Sequence, residues 1–178
     1  AMRQAWRDAG IGDVELGAVS FHVSGVSEVN DDLFDFWIEM PPHGLVGGDD
    51  YLFGGLKGNL MGREMASGFG GLVYDYERVI QTSVSPRYRD TLPDNTICGV
   101  MPSWDNTARR GLDAHIAYGA NPASFGRWLD GVRESRIPTS YRNELFLNAW
   151  NEWAEKAVLE PSMKYSNLYL TVLRDRIG

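Results

Sequence analysis

The amino-acid sequence predicts an α/β fold with a parallel sheet, built as part of a TIM-type (β/α)8 barrel. Three observations carry that expectation. Segments of strand and helix character alternate about four times along the 178 residues, which is the signature of repeated βαβ units. The strand segments are near-continuous apolar runs rather than strict alternations, as in parallel strands covered on both faces. No phosphate-binding glycine fingerprint follows any of them, so a nucleotide-binding doubly wound sheet is less favoured than part of a barrel. The length fits one domain able to bury a core, and residues 1–178 are read as that single domain.

Residues 2–9 read as the tail of a helix stopped at Gly10. Residues 13–21, ending in Ser20-Phe21, read as a strand, and 35–40 as a second strand closed by Pro41-Pro42. The glycine-rich stretch 43–71 has little periodicity and is too long for an ordinary connection, so it reads as a functional loop or a mobile one. Tyr74 to Gln81 reads as a helix, because Val73, Tyr76, Val79 and Ile80 fall at helical spacing. Residues 96–101 form a third strand closed by Pro102. Pro122 to Arg136 is a clear helix: Asn121 caps it, Pro122 takes the first helical position, and Phe125, Leu129 and Val132 with Trp128 face inward. Residues 145–150 are the fourth strand, and Tyr165 to Ile177 the last helix, with Leu168, Val172 and Leu173 on one face.

Composition narrows the function. The net charge of −7 argues against a nucleic-acid footprint, which needs a basic face, and against an anionic membrane surface. The single cysteine, Cys98, allows no intrachain disulfide and no cysteine-based zinc site; it reads as a small buried apolar residue and fits a reducing, cytoplasmic setting. No run of about 18 apolar residues is present, so no membrane insertion is expected. No cofactor is expected.

Polar residues gather just after each strand. The first strand runs into His22, the second into His43, the third into Trp104-Asp105-Asn106, and the fourth into Asn151-Glu152-Trp153-Ala154-Glu155. In a parallel α/β barrel all C-terminal strand ends share one face, and active sites form there. This set suits sugars: indole faces pack on the C–H face of a pyranose, Asp, Asn and Glu bond its hydroxyls, and a carboxyl pair can break a glycosidic bond. Glu152 and Glu155 are therefore the candidate catalytic residues, with Trp104, Asp105, Asn106, Asn151, Trp153, His43 and His22 as candidate sugar contacts. Each has a plainer reading. The histidines could be surface residues, Trp104, Trp150 and Trp153 barrel core, Asp105 and Asn106 a turn, and the glutamates the start of a solvated helix. His22 and His43 with nearby carboxylates could hold a metal, but no ligand spacing demands it, and no metal is expected.

Two long motifs carry a resemblance. Leu147-Asn148-Ala149-Trp150-Asn151-Glu152-Trp153-Ala154-Glu155, continued by Leu159-Glu160-Pro161, Tyr165 and Tyr169-Leu170, resembles the C-terminus of the WbsX-like family. These are bacterial polysaccharide-biosynthesis proteins, also described as glycoside hydrolase family 99-like. Val100 to Arg110 resembles the seventh-strand motif of the same family, and residues 34–43 and Tyr74-Asp75-Tyr76 agree in type and order. The resemblance implies that the chain supplies strands five to eight of the barrel with their helices, the C-terminal half of a larger catalytic domain. It further implies action on glycosidic bonds of an oligosaccharide or polysaccharide, in metabolism of the lipopolysaccharide or O-antigen type.

The family 99 endo-mannosidases carry an Asn-Glu-Trp-His-Glu segment that residues 151–155 resemble. The implied mechanism is retaining. Glu152 assists the sugar's own 2-hydroxyl to attack the anomeric carbon, giving a 1,2-anhydro sugar, and Glu155 serves as general acid and then general base. Ala154 stands in place of that histidine, as is usual in WbsX-like sequences, and Lys156 where glycine is usual. A cation there is expected to reshape the loop or to pair with Glu155 and lower its pKa. The alternatives are a glycosyltransferase using an activated sugar donor, or an inactive half-barrel serving as a carbohydrate-binding or scaffold fragment. A half-barrel would expose two sheet edges, so self-association or pairing with a separate N-terminal half is expected, against which a strictly monomeric species in light scattering would count.

Overall fold

The computed structural model describes residues 2–20 and 33–178. Among these residues nine short strands follow in chain order: β1 (Gly17–Ser20), β2 (Phe36–Glu39), β3 (Tyr51–Phe53), β4 (Leu72–Asp75), β5 (Thr96–Val100), β6 (His115–Tyr118), β7 (Leu145–Leu147), β8 (Asn151–Glu152) and β9 (Ala157–Val158). Six α-helices join them: α1 (Met2–Asp8), α2 (Tyr76–Ser83), α3 (Pro86–Arg89), α4 (Thr107–Arg110), α5 (Pro122–Ser135) and α6 (Leu168–Ile177).

The four strands expected from apolar runs are the four that pair into the principal sheet, in the order β1-β2-β5-β7. Every neighbouring pair is parallel, with Ala18 opposite Trp37, Ile38 opposite Ile97, and Gly99 opposite Phe146. The fold is therefore mixed α/β with a parallel sheet. The sheet is open, with β1 and β7 at its edges, and the described residues close no barrel. Strand β5 is buried along its whole length, as expected of a central strand covered on both faces. Gly99 allows this approach: a Cβ there would lie 2.4 Å from the Glu39 carbonyl oxygen and 2.8 Å from Pro41 Cδ.

Other elements depart from the sequence reading. Tyr74 and Asp75 do not begin a helix; they end β4, which pairs in parallel with β6 and antiparallel with β3 to make a second sheet. The helix starts at Tyr76 because the Asp75 carboxylate accepts from the Glu77 amide and caps it. The stretch 43–71 is partly ordered by that sheet, and Leu45 within it is fully buried. The last helix starts at Leu168, not Tyr165. Its buried residue is Tyr169, which packs edge-on against Phe125 with centroids 5.6 Å apart, whereas Leu168 is half exposed.

Helix α5 fits its sequence signals. The Asn121 side-chain oxygen accepts from the amides of Ala123 and Ser124, and the Ser124 hydroxyl accepts from the Asn121 amide. Phe125, Trp128, Leu129 and Val132 are fully buried, at about 1.5–3 kcal/mol each for apolar side chains of this size. The Trp128 indole nitrogen donates to Ser83 Oγ at 3.0 Å, which joins α5 to α2. Cys98 is buried in the core, as expected, and burial first, then the Glu39 charge, pushes its thiol up to about 12. No helix among the described residues is long and apolar enough to cross a membrane.

Candidate functional site

The C-terminal ends of β2, β5 and β7 open onto one cleft of about 620 Å³. Each strand end is tied to the next. The Asn148 side-chain amide donates to the Pro41 carbonyl at 2.5 Å, joining the exits of β7 and β2 across a cis Pro41-Pro42 bond. The Asn148 amide nitrogen donates to the Val100 carbonyl at 2.9 Å, joining β7 to β5. After β5, the Trp104 carbonyl accepts from the Ala117 amide at 2.8 Å, and Asn106 Oδ1 accepts from the His115 amide at 2.7 Å. The segment 102–106 is thereby held against β6, and the second sheet becomes a wall of the cleft.

Residues 151–158 form a hairpin, with Asn151 opposite Val158 and Glu152 opposite Ala157, so Trp153 to Lys156 is its turn. The Asp105 amide donates to the Glu155 carbonyl at 2.7 Å, which fixes the turn beside the β5 exit. Glu155 reaches the cleft with its side chain 14% exposed, and its carboxylate pairs with Arg109 at 2.5 Å. Burial pushes the Glu155 carboxyl above its ordinary value; Arg109 opposes this, the charge of Glu152 adds to it, and His43 opposes it.

Of the two roles the sequence offers Lys156, reshaping the loop or pairing with Glu155, the pairing does not form. The Lys156 ammonium pairs with Asp105, and its backbone adopts φ 52°, the left-handed conformation that glycine takes without cost. Burial pushes the Asp105 carboxyl up, but bonds from Lys156 and from the Thr107 hydroxyl and amide outweigh it and hold it below the ordinary carboxylate range.

The predicted site residues therefore divide. His43, Trp104, Asn106 and Glu155 line the cleft. Asp105 is turned into its salt bridge, and Asn151 and Trp153 are exposed outside the lining. Glu152 does not line the cleft but lies close enough for its charge to act on Glu155. His22 falls outside the described residues. Of the tryptophans, Trp104 is buried and meets His43 edge-on with centroids 6.1 Å apart; Trp150 is half exposed. Glu160, part of the quoted motif, accepts from the Trp153 indole at 2.9 Å.

Sequence reading missed several lining residues. Arg109 and Arg110 stood inside a quoted motif without being singled out, and His115 sits on the unrecognised strand β6. The signal for β6 was present: His115-Ile116-Ala117-Tyr118 ends at a glycine, just before the Asn121-Pro122 helix start. Tyr74, expected at a helix start, lies instead in β4 and lines the cleft. Its hydroxyl and the Trp104 indole nitrogen are buried with no hydrogen-bond partner among the described residues. The described residues hold no cluster of three or more potential metal ligands.

Replacing Arg109 with glutamine is expected to raise the Glu155 pKa further, because it removes the largest opposing influence. A carboxyl raised on folding binds its proton more tightly in the folded state, so its contribution favours the fold at low pH and is lost as pH rises through the folded pKa. The Arg109→Gln protein should lose that contribution at higher pH than wild type. A side-chain carboxyl NMR titration with an unmoved Glu155 midpoint would contradict the ion pair.

Fold and site together define an α/β protein of the class that gathers its polar side chains at the C-terminal ends of parallel strands. The chain belongs to the WbsX family: a family profile described as "Glycosyltransferase WbsX" matches residues 1–173. It is similar to the uncharacterized protein WxcX of Xanthomonas campestris pv. campestris strain B100, 30% identical over 176 residues. It is equally similar to the WxcX protein of strain ATCC 33913 of the same pathovar. The match covers 96% of this chain but only 23% of each relative, so the chain spans about a quarter of their length. No solved structure matches it.

Proposed function

We propose that the chain carries part of a carbohydrate-active site that makes or breaks glycosidic bonds in bacterial surface-polysaccharide metabolism, with Glu155 as the proton-transfer group. The observation that carries this reading is the position of Glu155: mostly covered, on the wall of a cleft shared with Asn106, Asn148, His43 and Trp104, and held above the ordinary carboxylate range first by burial. A carboxyl so shifted keeps its proton nearer neutrality, as a general acid requires. The amides of Asn106 and Asn148 and the unpartnered Tyr74 and Trp104 donors suit sugar hydroxyls.

In the finer version the reaction is retaining and resembles that of glycoside hydrolase family 99. Glu155 protonates the leaving oxygen while Glu152 assists the 2-hydroxyl of the sugar in displacing it, and water then opens the 1,2-anhydro sugar with Glu155 as base. Glu152, outside the lining, would reach the sugar by a small movement of the 153–156 turn. The open sheet would then be strands five to eight of a barrel, with further strands against β1 and β7.

A second reading is transfer from an activated sugar donor, favoured by the description of the matching family as a glycosyltransferase. Both readings are tested by offering α-mannoside oligosaccharides and nucleotide sugars to the full-length protein, wild type against Glu155→Gln. Hydrolysis of the first supports the hydrolase and consumption of the second the transferase. Turnover that Glu155→Gln leaves unchanged removes Glu155 from either.

A further inference from the structure

We propose that the cleft contains an anion subsite, formed by Arg110 and His115 with Arg109 beside them, that takes the carboxylate or phosphate group of an acidic saccharide. The proposal deepens the carbohydrate reading above and rests on it. Its first support is charge. The chain as a whole carries −7, yet the guanidinium and imidazole side chains lining the cleft are Arg109, Arg110, His43 and His115, against a single lining carboxylate, Glu155. The nearest other acid on the same segment, Asp105, is already neutralised by Lys156. A concave surface with low-dielectric walls concentrates the field of such a cluster and draws in anions.

The second support is commitment. Arg109 is paired with Glu155, but the Arg110 guanidinium makes no hydrogen bond or ion pair among the described residues. Its guanidinium stands near enough to His115 to disfavour a charge there, after burial, which acts more strongly in the same direction. A guanidinium whose donors the protein leaves unengaged is available to a bound anion. The planar fork of arginine matches a carboxylate or phosphate in a bidentate way.

The third support is independent of charge. Tyr74 is 2% exposed and Trp104 6% exposed, both line the cleft, and the hydroxyl of one and the indole nitrogen of the other have no hydrogen-bond partner among the described residues. Buried donors are nearly always satisfied in folded proteins, so these two mark a place for ligand oxygens. The cleft, at about 620 Å³, is the size of small-molecule sites and accommodates a sugar with its anionic substituent.

The test is calorimetric titration of the full-length protein at low ionic strength with methyl glucoside, glucuronate and UDP-glucose. The proteins compared are wild type, Arg110→Gln and Arg110→Lys. Wild type is expected to bind at least one anionic ligand about tenfold to a hundredfold tighter than the neutral glucoside, the range of one charge-assisted contact. Arg110→Gln should erase that preference, and Arg110→Lys should keep part of it, since lysine supplies charge without the fork. A preference confined to glucuronate identifies the anion as a sugar carboxylate, and one confined to UDP-glucose identifies it as a donor diphosphate. Equal binding of all three ligands, or a preference that survives Arg110→Gln, overturns the subsite and leaves the assignment of Glu155 standing. Absence of binding by any of the three overturns the subsite and the carbohydrate reading together.

Discussion

Replacing Glu155 with glutamine is expected to lower turnover of the full-length protein by about 10²–10⁴-fold, the usual contribution of a positioned general acid or base. Glutamine keeps the shape of the side chain and an oxygen that can still accept from Arg109, so the cleft should survive. Little stability should be lost, because Arg109 is 62% exposed and water takes over its solvation. What is lost is the transferable proton. The pH profile supplies a second readout. With Glu155 as acid, wild-type activity falls as pH rises through its pKa, which burial, aided by Glu152, places above the ordinary carboxylate range against the pull of Arg109 and His43. That limb should vanish in Glu155→Gln. If the limb persists, another group carries it, and Glu152, three residues away in the same hairpin, becomes the candidate.

Much of this arrangement is legible in the sequence, and the reasons for the rest are physical. The strands β1, β2, β5 and β7 were readable because a parallel strand covered on both faces must be apolar on both, and proline or polar residues mark where each leaves the sheet. Helix α5 was readable because Asn121 and Pro122 fix its start locally. Strand β4 was hidden because Val73, Tyr76, Val79 and Ile80 fit a helical period across the β4–α2 junction, and β6 because His115-Ile116-Ala117-Tyr118 mixes polar with apolar residues instead of forming an apolar run. The site divided in the same way. Glu155, Asn106, Trp104 and His43 could be placed because they follow strand ends. Arg109, Arg110 and His115 could not, because they reach the cleft through α4 and the second sheet, contacts set by tertiary packing. The partner of Lys156 was equally beyond local reasoning. Glu155 adjoins it in sequence, but the left-handed turn directs it to Asp105, 51 residues away.

Arg136→Met is expected to destabilise the fold by about 3–5 kcal/mol, the penalty for removing one partner of a buried ion pair. Arg136 and Glu39 are 4% and 3% exposed at the side chain and meet at 2.8 Å. The same Glu39 oxygen accepts from the Gly99 amide at 3.0 Å, and the Arg136 guanidinium also donates to the Ser83 carbonyl and lies over the Tyr88 ring at 5.5 Å. Methionine fills the volume but leaves a carboxylate in the core without its counter-charge. A drop in urea midpoint at unchanged slope measures the loss. The double variant Glu39→Gln with Arg136→Met removes both charges and should recover most of it. If the double variant is as unstable as the single one, packing and not charge explains the loss. The consequence reaches the cleft, because Glu39 ends β2 and the next residues, Met40 to His43, form one of its walls. The Glu39 carboxylate pins that strand end to β5 through Gly99, and Asn148 pins the following Pro41 to the exit of β7. A protein that loosens these ties should lose ligand affinity at denaturant concentrations below those that unfold it.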